Sequence, residues 1–146
     1  MLSVWWDYKG PIYHETLPVN QTINSDVYIQ QLIKMNNAIK KNRPELASRK
    51  QIVFQHDNAR PHTSLTTRKK ILEFGWDLLP HPPYSPDLAL SDYYLFRSMQ
   101  NSLDGKKFDN DADVKLYLDH FFTSRDQKIL WTWYYDATWK MAEGHW

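Results

Sequence analysis

The sequence predicts an α/β domain in which a mixed sheet is flanked by helices. Three observations carry that reading. Short β-rich and helix-period segments alternate as β-β-α-β-α-β through residue 79, and strand, helix and strand at that spacing give a parallel crossover with helices on the sheet faces. The apolar run Ile52-Val53-Phe54 is too short for a helix and ends at polar His56 and Asp57. After Pro80–Pro86, which holds four prolines in seven residues and must be a stiff loop, the chain is helix-rich. At 146 residues it suits a single domain, 1–146, with a substantial core.

Each element has a local reason. Ser3–Asp7 and Pro11–Leu17 are rich in β-formers (Val4, Trp5, Trp6, then Ile12, Tyr13, Thr16), and Gly10 between them supplies a tight turn. Asn24 or Ser25 can cap a helix running to about Asn42, because Tyr28, Leu32, Met35 and Ile39 fall on one face. Pro44 and Glu45 suit the first turn of a short continuation through Ala47. Gln51–His56 is predicted as a strand. A further helix starts near Thr63, with Leu65, Ile71 and Leu72 as its apolar residues, Arg68-Lys69-Lys70 outward and Gly75 as its stop. Trp76–Leu79 makes another short strand. Helices are expected at Ser91–Leu103, at about Ala112–Ser124 and at Arg125–Trp139.

Composition narrows the function. There is no cysteine, which excludes disulfides and Cys-ligated zinc. No run approaches the ~18 apolar residues of a membrane span, so no membrane partner is expected. The first residues lack the basic and apolar stretches of a secretion signal. A net charge of +1 hides an asymmetry: residues 25–75 carry ten Lys/Arg against four Asp/Glu, whereas residues 76–146 carry seven against eleven. A basic middle fits either a polyanion-binding face or ordinary solvated helix surfaces.

Two acids stand out. Asp57 follows a short apolar strand, where α/β folds expose their chemistry, and Asp92 begins a helix after the proline loop, with 34 residues between the two. Carboxylates are hard oxygen ligands for Mg²⁺ or Mn²⁺, and a pair of such ions can drive phosphoryl transfer. Asp-Asn and Ser-Asp pairs also occur at turns and caps for purely local reasons. His56, His62 and His81 lack the spacing of a metal-ligand set and read as loop or structural residues. Asp109, Asp111 and Asp113 have Val114 and His120 where a calcium loop needs glycine and glutamate, so they read as a solvated turn and helix start. Trp131, Trp133, Trp139 and Trp146 could stack on bases or fill a core.

Longer strings go further. His56-Asp57-Asn58-Ala59-Arg60-Pro61-His62, His81-Pro82-Pro83-Tyr84-Ser85-Pro86-Asp87-Leu88-Ala89 and Ser91-Asp92-Tyr93 with Leu95-Phe96 closely resemble the catalytic core of mariner-type transposases of the DDE/D superfamily. Val4-Trp5-Trp6-Asp7 and Gln21–Gln31 resemble the same family, and the likeness runs over residues 1–125. It implies an RNase H-like domain that cleaves DNA at transposon ends and integrates it elsewhere, in the nucleus, using three aspartates and two divalent ions, Mg²⁺ or Mn²⁺. Asp57 matches the family's second acid and Asp92 its third, making both expected catalytic residues and metal ligands. Arg60, His62, Arg68, Lys69 and Lys70 are the expected DNA contacts, and a homodimer is the expected assembly. Leu90 and Tyr94 stand where the family has Pro and His, without removing a ligand. The family's first acid lies on a strand upstream of the Trp-Trp hairpin, so the mixed sheet is expected to lack that central strand. The helix-turn-helix region is likewise expected to be missing, and 1–146 to be a partial catalytic domain of weak or no activity by itself. Alternatives are a retained DNA-binding or interaction module and a relic of a decayed transposon. One family member is fused to a SET histone-lysine methyltransferase; nothing in this sequence resembles a SET domain, and no methyltransferase activity is expected.

Overall fold

Two β-strands, β1 (Leu2–Asp7) and β2 (Gly10–Thr16), pair around a turn at the start of the chain. Met1 and Leu17 exchange backbone hydrogen bonds in both directions, at 3.2 and 2.8 Å, the reciprocal pattern of an antiparallel ladder. Gly10 sits at φ 121°, a backbone conformation that a side chain resists, and the Asp7 carboxylate accepts the Lys9 N–H at 2.8 Å to close the turn. The computed structural model describes residues 1–7, 9–49, 52–81 and 95–124. Asp92, Ser91, most of the proline loop, the Arg125–Trp139 helix and the four C-terminal tryptophans lie outside the described residues. The chain forms two compact units, residues 1–5 with 12–89 and residues 6–11 with 90–146.

The first unit is built on α1 (Ser25–Asn42). Asn24 caps it, its Oδ1 accepting the Val27 N–H at 2.9 Å. The expected stripe of Tyr28, Leu32, Met35 and Ile39 is buried and joins Phe54, Ile71 and Trp76 in one core, with Trp5, Ile12 and Tyr13 packed against it. The Lys34 ammonium pairs with Glu15 of β2, fastening the helix to the hairpin. After α2 (Pro44–Ala47), β3 (Ile52–Phe54) pairs in parallel with β4 (Trp76–Leu78), Ile52 opposite Trp76 and Phe54 opposite Leu78.

The sheet keeps the mixed pairing that the sequence predicts, but it is divided. Among the described residues it is two separate pairs, β1–β2 and β3–β4. No described strand hydrogen-bonds to both.

The crossover also differs from the single helix expected from Thr63. A short α3 (Arg60–Thr63) stops at Ser64, whose extended backbone (ψ 150°) and side chain cap a second helix, α4 (Leu65–Glu73). The Ser64 hydroxyl accepts the Thr67 N–H at 3.2 Å, and the Thr67 hydroxyl donates to the Pro61 carbonyl at 2.7 Å. The break shifts the buried face to Thr67 and Ile71, leaving Leu65 85% and Leu72 73% exposed. Arg68 and Lys69 point outward as expected. Gly75 ends α4 at φ 74°.

In the second unit, α5 (Arg97–Leu103) and α6 (Asp111–Ser124) are joined by the Tyr117 hydroxyl, which donates to the Ser102 carbonyl at 2.8 Å. Asn110 accepts the Asp113 N–H at 2.9 Å at the start of α6. Asp111 and Asp113 lie in the first turn, where negative charge complements the helix dipole; the aspartate cluster is therefore a helix start.

One core group is imperfectly satisfied. Gln31 is buried and donates to the Ser3 hydroxyl at 3.3 Å, but its Oε1 accepts no bond from any described residue. A buried orphan acceptor costs more than one long hydrogen bond returns. Gln31→Met is accordingly expected to stabilise the protein by about 1 kcal/mol, read from the urea midpoint; a lower midpoint would contradict this account.

Candidate active site

Where β3 ends, the chain turns out of the strand through Gln55, His56 and Asp57. Two side chains bind this end of β3 to the end of β4: the Asn58 amide donates to the His81 carbonyl at 2.9 Å, and Gln55 Nε2 lies 3.4 Å from His81 Nδ1. The Asp57 side chain is 63% exposed. Its Oδ1 accepts the Ala59 N–H at 3.0 Å, a local turn characteristic of aspartate, and meets His62 Nδ1 at 2.5 Å. Among the described residues none bonds Oδ2.

Behind Asp57 lies a wall of rings. The Tyr28 hydroxyl, reaching from α1, is 3.0 Å from His56 Nδ1. The His56 and His62 rings stack at 5.2 Å and 13°, the Tyr28 and His62 centroids are 4.0 Å apart, and Phe54 meets His56 edge-on.

The wall shifts the titration of its members. Burial pushes His56 down to about 4, assisted by the positive charges of His62 and Arg68 against the opposing pull of Asp57. Burial and the Asp57 charge push the Tyr28 phenol above its ordinary value. For Asp57, burial acts upward, but the Ala59 N–H, His62 and His56 outweigh it and hold the carboxyl below its usual value.

Because the folded pKa of His56 lies below that of an unfolded histidine, folding favours its neutral form. The stability this provides is complete above about pH 6.5 and drains away as pH falls towards 4. With discounting for partial exposure the loss is about 1–2 kcal/mol. Urea midpoints of the metal-free chain at pH 7 and 4.5 measure it, and equal midpoints would rule it out.

The remaining expected residues divide into two groups. Arg60, Arg68 and Lys69 are exposed. His62 is turned towards Asp57, and Lys70 is drawn to Glu73 at 2.5 Å and lies over the Phe74 ring. Sequence reasoning did not find Tyr28, nor the pairing of His62 with Asp57. Tyr28 reads as a core residue in its helix stripe, and nothing local reveals a partner 28 residues away.

Among the described residues no group of three or more His, Cys, Asp or Glu side chains could hold a metal ion. Asp57 alone still suits Mg²⁺ or Mn²⁺ as one ligand. It is an exposed hard-oxygen donor with one oxygen pinned, and Mg²⁺ is ordinarily held by only one or two carboxylates, keeping several waters.

Residues 1–49 match the family model for transposase (partial DDE domain). The Mariner Mos1 transposase of Drosophila mauritiana is 45% identical over 132 residues, covering 90% of this chain and 38% of that protein. A solved structure of the Mos1 transposase catalytic domain with raltegravir and Mg superposes with a TM-score of 0.88 at 42% identity, over 93% of this chain and 68% of that one. The chain belongs to the mariner-type transposases. The human histone-lysine N-methyltransferase SETMAR is 38% identical over 125 residues, covering 86% of this chain and 18% of that protein. The Mos1 transposase paired-end complex with the left transposon end superposes at a TM-score of 0.87 and 41% identity, over 95% of this chain and 40% of that one. The mariner chain described here thus spans well under half the length of the curated relatives it matches. Its mixed α/β architecture is that of the RNase H-like Mos1 catalytic domain. No helix among the described residues is long and apolar enough to cross a membrane.

Proposed function

We propose that this mariner-type domain serves divalent-metal-dependent cleavage of DNA at transposon ends and strand transfer to a new site. The observation that carries the reading is Asp57, an exposed carboxylate at the end of β3 with one oxygen pinned and the other turned to no described residue. Asp57 and Asp92 would hold Mg²⁺ or Mn²⁺, which when bound activates the attacking oxygen and neutralises charge on the leaving one. The protein's own residues would position the strand. Arg60, Arg68 and Lys69 are exposed cations that can pair with backbone phosphates, which fix register without reading sequence. His62 and Lys70 are engaged within the protein and contribute less to such a surface. Neighbours solved with Mg and with a transposon end support both partners. A paired-end complex fits a homodimer, and a DNA substrate fits the nucleus.

A polypeptide of these 146 residues, with Asp57 and Asp92 as its proposed ligands, is expected to cut transposon-end duplex weakly. Robust Mg²⁺-dependent cleavage would refute that expectation. A second reading, a DNA-binding module without catalysis, is favoured by the exposed Arg68 and Lys69 beside a single described carboxylate. It requires duplex binding that survives chelation with EDTA. Either reading predicts salt-sensitive binding, and the double variant Arg68→Ala/Lys69→Ala should flatten the slope of log K against log salt by about 1.8, near 0.9 per lost phosphate contact. Fluorescence anisotropy from 50 to 200 mM KCl measures it, and an unchanged slope would remove α4 from the DNA surface.

A further inference from the structure

We propose that His62 is a positioning residue for Asp57, holding one carboxylate oxygen so that the other is presented to the divalent ion. The inference rests on the reading of Asp57 as a metal ligand and assigns the side chain that aims it. An aspartate on the surface turns broadly about its last torsion, and Asp57 is 63% exposed. Here Oδ1 is held from two directions, by the Ala59 N–H at 3.0 Å and by His62 Nδ1 at 2.5 Å.

The backbone contact fixes only a local turn. His62 is what connects the carboxylate to the core. Its side chain is 19% exposed, lies 4.0 Å from the Tyr28 ring and stacks on His56. Tyr28 is in turn buried on α1, with its hydroxyl on His56 Nδ1. A rigid path therefore runs from the central helix through two rings to Oδ1. Side chains that orient a metal ligand in this way commonly change metal affinity ten- to a hundredfold when removed. The same geometry makes His62 a weaker phosphate contact than Arg60, Arg68 or Lys69, because its Nδ1 is already engaged by Asp57.

The test is Mn²⁺ binding to residues 1–146, followed by the electron paramagnetic resonance signal of free Mn²⁺, with urea midpoints for every variant. His62→Phe keeps a ring in the stack and removes the nitrogen. It should weaken binding about tenfold or more while the protein stays folded. His62→Asn, whose amide nitrogen can occupy the place of Nδ1, should recover most of that loss. Mn²⁺ binding unchanged in folded His62→Phe overturns the positioning role alone. Binding that is missing in the wild type, or equal in wild type and Asp57→Asn, overturns the metal reading itself and the role with it. Reduced affinity for transposon-end duplex in His62→Phe at unchanged Mn²⁺ affinity would make the residue a DNA contact instead, and the proposal would fall.

Discussion

Asp57→Asn is expected to reduce Mn²⁺ affinity, and any metal-dependent DNA cleavage the chain supports, by at least about a hundredfold, because the ion loses several kcal/mol of charge stabilisation. The substitution is nearly isosteric. The amide oxygen still accepts the Ala59 N–H, the position is exposed, and the buried core of Tyr28, Leu32 and Ile71 is untouched. Folding should therefore survive, which separates chemistry from stability in one variant. Calorimetric Mn²⁺ titration and a cleavage assay on transposon-end duplex measure the two effects. Near wild-type binding in a folded Asp57→Asn protein would mean that Asp57 is a turn residue and nothing more.

Leu32→Ala is expected to destabilise the protein by about 3–4 kcal/mol, the cost of a lost side chain plus the cavity it leaves. Leu32 is 0% exposed in a core built from α1, β3, α4 and β4. Set against the 5–15 kcal/mol typical of whole domains, that loss brings the fold close to its limit. Leu72→Ala provides the contrast: Leu72 is 73% exposed, and its truncation should change stability by less than about 0.5 kcal/mol. Urea denaturation of both variants decides the matter. Similar midpoints for the two would mean that the buried face has been misassigned. A broad, non-cooperative wild-type transition would instead favour the relic product.

The contrast between Leu32 and Leu72 shows what the sequence could and could not reveal. Helix α1 was legible because its apolar residues and its Asn24 cap are local signals that packing reinforces. Helix α4 was legible only in part: of its apolar residues Leu65, Ile71 and Leu72, the register set by the Ser64 cap buries Ile71, together with Thr67, and leaves both leucines exposed. A hydroxyl whose hydrogen bond is satisfied at Pro61 can be buried, and hydropathy alone does not anticipate that. The division of the sheet was foreseeable only through family resemblance, since strand neighbours are chosen by distant segments. The site was half legible. Asp57 announced itself by its place after an apolar run and by the strings around it. Tyr28 and His62 acquire their roles through rings brought together in three dimensions, and the Asn58 bond to the His81 carbonyl spans 23 residues.

The parallel pairing of β3 with β4 also sets when this site can come into being. Ile52 meets Trp76, and Phe54 accepts the Leu79 N–H, only after α3 and α4 have folded back between them. Contacts of such long sequence separation form late, because chain entropy is lost before they return anything. The ring wall has the same character, since Tyr28 and His56 are 28 residues apart. A nascent or partly melted chain can therefore contain α1 while Asp57 is still an unaimed side chain. Competence at Asp57 should track the slowest folding phase rather than the appearance of helix.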